Sequence, residues 1–126
     1  VYLQMRENDE LTSIRPLIAI EPAESALEIF QNEVLRPILK YQQELWKSIL
    51  LGEDFLKNAL SSGKTQSEKW RMVMKLATKN PSLKYQWVGM VTGLMTNEEF
   101  TYYYRNKKEL DKRIMGMLAQ RFVDSH

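Results

Sequence analysis

Apolar residues recur at Leu27, Phe30, Val34, Ile38, Tyr41, Leu45 and Ile49, in steps of three or four, within a stretch running from Glu24 to Leu60. This spacing returns each side chain to one side of an α-helix and is incompatible with the two-residue period of a strand. Leu35, Leu39, Trp46 and Leu50 widen the stripe, while Glu33, Arg36, Lys40, Gln43 and Lys47 stay away from it. A face so broad must be buried against other helices. Pro37 lies inside the stripe without shifting its phase. It removes one backbone donor and crowds the turn before it, so one long helix kinked near residues 33–37 is expected.

The rest of the chain reads as further helices. Ser61-Ser-Gly-Lys64 forms a turn, after which Thr65 or Ser67 caps a helix through Trp70, Val73, Met74 and Ala77. Asn80-Pro81 is a stop and restart, since proline suits the first helical position. The helix from Ser82 to about Met95 is apolar round most of its circumference, which places it in the middle of the fold. Gly89 and Gly93 then read as notches that let another helix approach. Thr96-Asn-Glu-Glu99 caps a last long helix, whose buried side is marked by Phe100, Tyr103, Leu110, Ile114, Met117 and Leu118. Five glycines and four prolines in 126 residues are too few for a turn-rich β fold. The expectation is an all-α protein: a compact bundle of about four principal helices, comprising residues 23–126 as one domain, behind an extended arm over residues 1–22.

Little catalytic chemistry is available. Without cysteine there is no disulfide, thiolate nucleophile or thiolate metal site, and the only histidine is His126. That removes the histidine-based triads, the three-histidine zinc site and the Glu-x-x-His pairs of di-iron bundles. Glu21, Glu24 and Glu28 form the densest acidic cluster of the long segment, best read as charges at the positive end of a helix dipole. No catalytic residue, cofactor or metal site is therefore assigned. No apolar run reaches the roughly 18 residues needed to cross a bilayer, and the opening residues lack the pattern of a signal peptide, so a cytoplasmic protein is expected.

Charge is unevenly divided. Residues 1–63 carry six Lys/Arg against ten Asp/Glu, and residues 64–126 carry twelve against six. Two halves of opposite sign can attract each other within a fold or dimer, or the basic half can meet an anionic partner. For the latter the candidates are Lys107, Lys108, Lys112 and Arg113, beside Tyr102-Tyr-Tyr104. Glu109 and Asp111 interrupt that run, and the helix after Pro81 lacks base-reading side chains, so nucleic acid is a poor fit.

The run Phe30-Gln-Asn-Glu-Val-Leu-Arg-Pro-Ile-Leu-Lys40, with Asn80-Pro81, Gly89-Met-Val-Thr-Gly93 and the segment from Lys112 to Arg121, resembles a family of small all-helical bacterial proteins of unknown function. Some members carry the loose label "glyoxalase". The resemblance implies a bacterial helical protein and supplies no catalytic residue; the strands and metal-binding histidine of glyoxalase I have no counterpart here.

The functional expectation is a non-enzymatic interaction module that self-associates as a homodimer, with Phe30, Val34, Ile38 and Trp46 supplying part of the interface. The first alternative is a small-molecule binder or enzyme with an inter-helix pocket near Tyr41, Trp87 and Tyr103. The second is a nucleic-acid accessory protein using the basic half.

Overall fold

The computed structural model describes residues 8–17 and 25–126. The arm expected to be extended over residues 1–22 is helical over Asn8–Ser13; its residues 1–7 and 18–22, together with Glu21 and Glu24 of the acidic cluster, lie outside the described residues. The protein is all-α, and no strand occurs among the described residues. Its helices are α1 (Asn8–Ser13), α2 (Ala26–Phe30), a π-helical turn (Gln31–Leu35), α3 (Arg36–Tyr41), α4 (Gln43–Gly52), α5 (Asp54–Ser61), α6 (Gln66–Lys79), α7 (Pro81–Thr92), α8 (Asn97–Arg105) and α9 (Lys107–Ser125).

The stretch read as one helix is thus divided. Ahead of Pro37 the chain widens into the π-turn, where the Arg36 N–H donates to the Gln31 carbonyl five residues back. Widening is one way for a helix to absorb a proline's missing donor. Gln42, with φ −89° and ψ 11°, separates α3 from α4, and the extended Glu53 separates α4 from α5. Asn106 divides the last helix into α8 and α9.

Local chemistry explains where several helices start. The Ser25 hydroxyl accepts from the Glu28 N–H and Thr65 from the Glu68 N–H. Thr96 and Glu99 form a reciprocal capping box, with the Thr96 N–H donating to Glu99 Oε1 at 2.8 Å. The same carboxylate clasps the arm: Arg15 Nη1 and Nη2 donate to its two oxygens at 2.8 and 2.7 Å, and Nη2 also to the Leu94 carbonyl at 2.8 Å. Burial acts to raise the Glu99 carboxyl pKa, but the Arg15 guanidinium and the Thr96 donors outweigh it, and the net shift is downward.

The centre of the fold is α9, which packs on α4, α6, α7, α8 and the π-turn. Its Leu110, Ile114, Leu118 and Phe122 are buried, each such side chain contributing about 1.5–3 kcal/mol through burial. Phe122 receives Trp46 edge-on, with ring centroids 6.4 Å apart, and Trp87 at 5.2 Å. The expectation that the Ser82–Met95 helix lies in the middle is corrected. In α7, Trp87, Val88 and Val91 face inward, but Gln86 and Gly89 are exposed, and a Cβ built on Gly89 meets nothing within 4 Å. Among the described residues no helix uses that notch. Gly93 follows α7 as its C-cap.

Candidate functional site

Helices α4 and α5 present two faces. Trp46, Leu50, Leu56 and Leu60 are buried. On the other side Leu45, Ser48, Leu51 and Gly52 share the outward half of α4 by their spacing, while Tyr41 ends α3 and Phe55 stands at the start of α5, beyond the breaks at Gln42 and Glu53. Tyr41 and Leu45, expected on the buried stripe, are instead 50 and 51% exposed, because the helix is interrupted at Gln42 and the stripe does not continue in phase; Leu51 and Phe55 are 74 and 37% exposed. Scattered apolar residues are ordinary on a protein surface, but here four large ones are exposed within one run of fifteen residues, from Tyr41 to Phe55. Gly52 leaves an open notch in it, since a Cβ there would meet nothing within 4 Å. Two exposed pairs lie within the same run, Glu44 with Lys47 at 3.5 Å and Asp54 with Lys57 at 3.8 Å. Such pairs add little stability; they give this surface both signs of charge.

The residues expected to form an interface lie elsewhere. Phe30, Val34, Ile38 and Trp46 are all buried within the chain itself, Phe30 against Tyr102 at 4.8 Å and Trp46 against Phe122. Their face is already covered by the same polypeptide. Tyr41, Trp87 and Tyr103, expected around one pocket, occupy three different surroundings. Tyr41 belongs to the exposed run, Trp87 packs on Phe122 in the core, and Tyr103 is buried with its hydroxyl donating to Asp111 Oδ1.

The basic run is also split up. Lys107 Nζ donates to Asp111 Oδ2 at 2.7 Å and lies 5.4 Å from the centre of the Tyr85 ring. Lys108 and Lys112 line a cleft between α6, α7 and α9. Arg113 points to the π-turn instead, its Nη1 donating to Gln31 Oε1 at 2.8 Å. Of the three tyrosines, Tyr103 is buried, Tyr102 is half-buried against Phe30, and only Tyr104 is exposed. They form no stacking platform for bases.

Sequence reasoning missed Asp111, treated only as a break in the basic run. It is buried and holds α8 to α9 by accepting from both Tyr103 and Lys107. The signal was present, because Tyr103, Lys107 and Asp111 follow in steps of four. Burial, and then the Asp111 carboxylate, raise the Tyr103 phenol well above its usual value. The hydrogen bond to Asp111 raises the Lys107 ammonium against the opposing effect of burial. Both groups therefore keep their protons at neutral pH and act as donors. The array locks a helix junction. Among the described residues no group of three or more potential metal ligands is found, and no helix is long and apolar enough to cross a membrane.

No protein-family model, curated protein or solved structure matches the chain.

Proposed function

We propose that the protein is a non-enzymatic helical interaction module whose partner is a second copy of itself, docked through the outer face of α3, α4 and α5. The observation that carries this is the exposed row Tyr41, Leu45, Leu51 and Phe55, which remains after the opposite face of the same helices has filled the core. Leu51 is the most telling member, because a leucine left three-quarters exposed gains most from being covered. A two-fold contact places the same patch on both sides, so every apolar residue finds apolar neighbours. The charges of this surface favour a copy over a strongly charged partner: Glu44, Lys47, Asp54 and Lys57 carry two charges of each sign, letting each copy's lysines meet the other's carboxylates. The open notch at Gly52 permits close approach of the second backbone. Cytoplasmic location and bacterial origin belong to the same proposal, supported by the cysteine-free composition and by the resemblance to small helical bacterial proteins.

Sedimentation equilibrium of the intact chain tests it. A dimer at micromolar concentration is expected, converted to monomer by Leu45→Glu combined with Leu51→Glu, with the helical circular dichroism retained because neither side chain supports the core. A wild-type monomer at hundreds of micromolar, or a variant that stays dimeric, would refute the proposal.

A further inference from the structure

A second feature, separate from the outer face, is the cleft between α6, α7 and α9, with a volume of about 420 Å³. This falls within the range of roughly 300–1,000 Å³ typical of small-molecule sites. Its apolar wall comes from Met74, Ala77, Pro81 and Met115. Methionine side chains adapt to irregular apolar shapes, so such a wall accepts a flexible or aromatic body. Lys84, Lys108 and Lys112 also line it.

The charges of the cleft are unbalanced. Asp111 is already satisfied by Lys107 and Tyr103. Among the described residues none of Lys84, Lys108 and Lys112 forms an ion pair, although Lys84 Nζ lies 5.8 Å from the centre of the Tyr85 ring. Counting Lys107 with these three, four lysines face two carboxylates, Glu109 and Asp111, which leaves a surplus of two positive charges.

We propose that this cleft binds a small organic carboxylate with an apolar body, the carboxylate among Lys84, Lys108 and Lys112 and the body against Met74, Ala77 and Met115. A carboxylate is drawn by the surplus charge, whereas an apolar body is required to displace water from the methionine wall. A nucleic-acid backbone would reach the lysines but leave that wall unfilled, and Arg113 does not join them. Each ammonium–carboxylate contact is a charge-assisted hydrogen bond, so removing two of them should weaken binding by tenfold or more, taking about 1.4 kcal/mol per decade.

The intact protein labelled at its methionine methyl groups provides the test, titrated with decanoate and followed by NMR. Saturable shifts are expected at Met74 and Met115. Decanol, of equal chain length but uncharged, should bind about tenfold more weakly. Lys108→Glu combined with Lys112→Glu should abolish the shifts while leaving the fold intact, since both side chains are exposed. Equal binding of decanol and decanoate, unchanged binding by the double variant, or shifts that bypass Met74 and Met115 would each overturn the assignment. The methionine readout also separates the cleft from adventitious adsorption on the outer apolar face.

Discussion

Two glycine-to-alanine substitutions should change stability in opposite directions. Among the described residues no glycine has positive φ, so alanine is conformationally acceptable at each and the outcome depends on the space around the new methyl group. Gly63 is buried between α5 and α6, where a Cβ would lie 2.7 Å from Lys69 N, 2.9 Å from Lys69 Cα and 3.0 Å from Glu68 C. All three are backbone atoms of the first turn of α6, so no rotamer change relieves the clash. The turn has little freedom to move, being tied by the Lys64 N–H to Glu68 Oε2 at 2.7 Å and by the Thr65 cap. Overpacking of this kind costs about 1–3 kcal/mol. In Gly89→Ala the methyl group meets open space on a helix interior, which should add about 0.5–1 kcal/mol by restricting the unfolded chain and favouring the helix. With a melting-temperature change of roughly 4 °C per kcal/mol for a chain of this size, Gly63→Ala should melt about 4–12 °C lower and Gly89→Ala about 2–4 °C higher. Thermal and urea unfolding followed by circular dichroism at one fixed protein concentration measures both, the fixed concentration excluding mass-action effects of self-association. A neutral Gly63→Ala would mean that the α5–α6 turn is not packed as described. A destabilising Gly89→Ala would mean that another backbone does sit on that face of α7.

Tyr103→Phe removes a donor to a buried carboxylate and should cost about 1.5–3 kcal/mol. In a double-mutant cycle with Asp111→Asn, a coupling energy near zero would deny the link between α8 and α9. The Glu99 carboxyl has a folded-state pKa below its ordinary value of 4.5, so its contribution is present above that value and is lost as pH falls through the folded value. Glu99→Gln should therefore be less stable than wild type at neutral pH, with the difference shrinking below pH 4.5; a gap constant with pH would refute the Arg15 clasp. Dissociation by the Leu45→Glu and Leu51→Glu pair and the carboxylate preference of the cleft complete the set.

The helical class follows from apolar spacing because that spacing reports backbone period directly. It cannot report which chain covers the apolar face. Phe30, Val34, Ile38 and Trp46 must be buried on periodicity alone, yet their complement lies far along the same chain, with Tyr102 meeting Phe30 and Phe122 meeting Trp46. Pro37 announces a lost hydrogen bond but not whether the helix bends or widens, and the π-turn shows widening. Gly89 and Gly93 have the spacing of a packing notch whether or not a helix fills it, so only three-dimensional placement reveals Gly89 as open. The cleft was beyond reach for a related reason. Lys108 and Lys112 stand in one run, but Met74, Lys84 and Met115 reach it from three helices whose arrangement no local pattern encodes.

The two proposed surfaces can be tested independently because they share no side chain. The outer face draws on α3, α4 and α5, and the cleft on α6, α7 and α9. They are still joined energetically through α9, whose Leu110, Ile114, Leu118 and Phe122 lie in the core against which Trp46 packs. A carboxylate held by Lys108 and Lys112 would rest on the first turns of this helix, just beyond the Tyr103–Asp111–Lys107 lock. If it binds only the folded chain, it must raise the melting temperature in proportion to the logarithm of its concentration once the site is saturated. Dimerisation gives the same logarithmic signature, but in protein concentration. Varying the two concentrations separately therefore distinguishes them: the Lys108→Glu/Lys112→Glu protein should lose the first dependence and keep the second, and the Leu45→Glu/Leu51→Glu protein the reverse. Loss of both in either variant would show that one surface, not two, is at work.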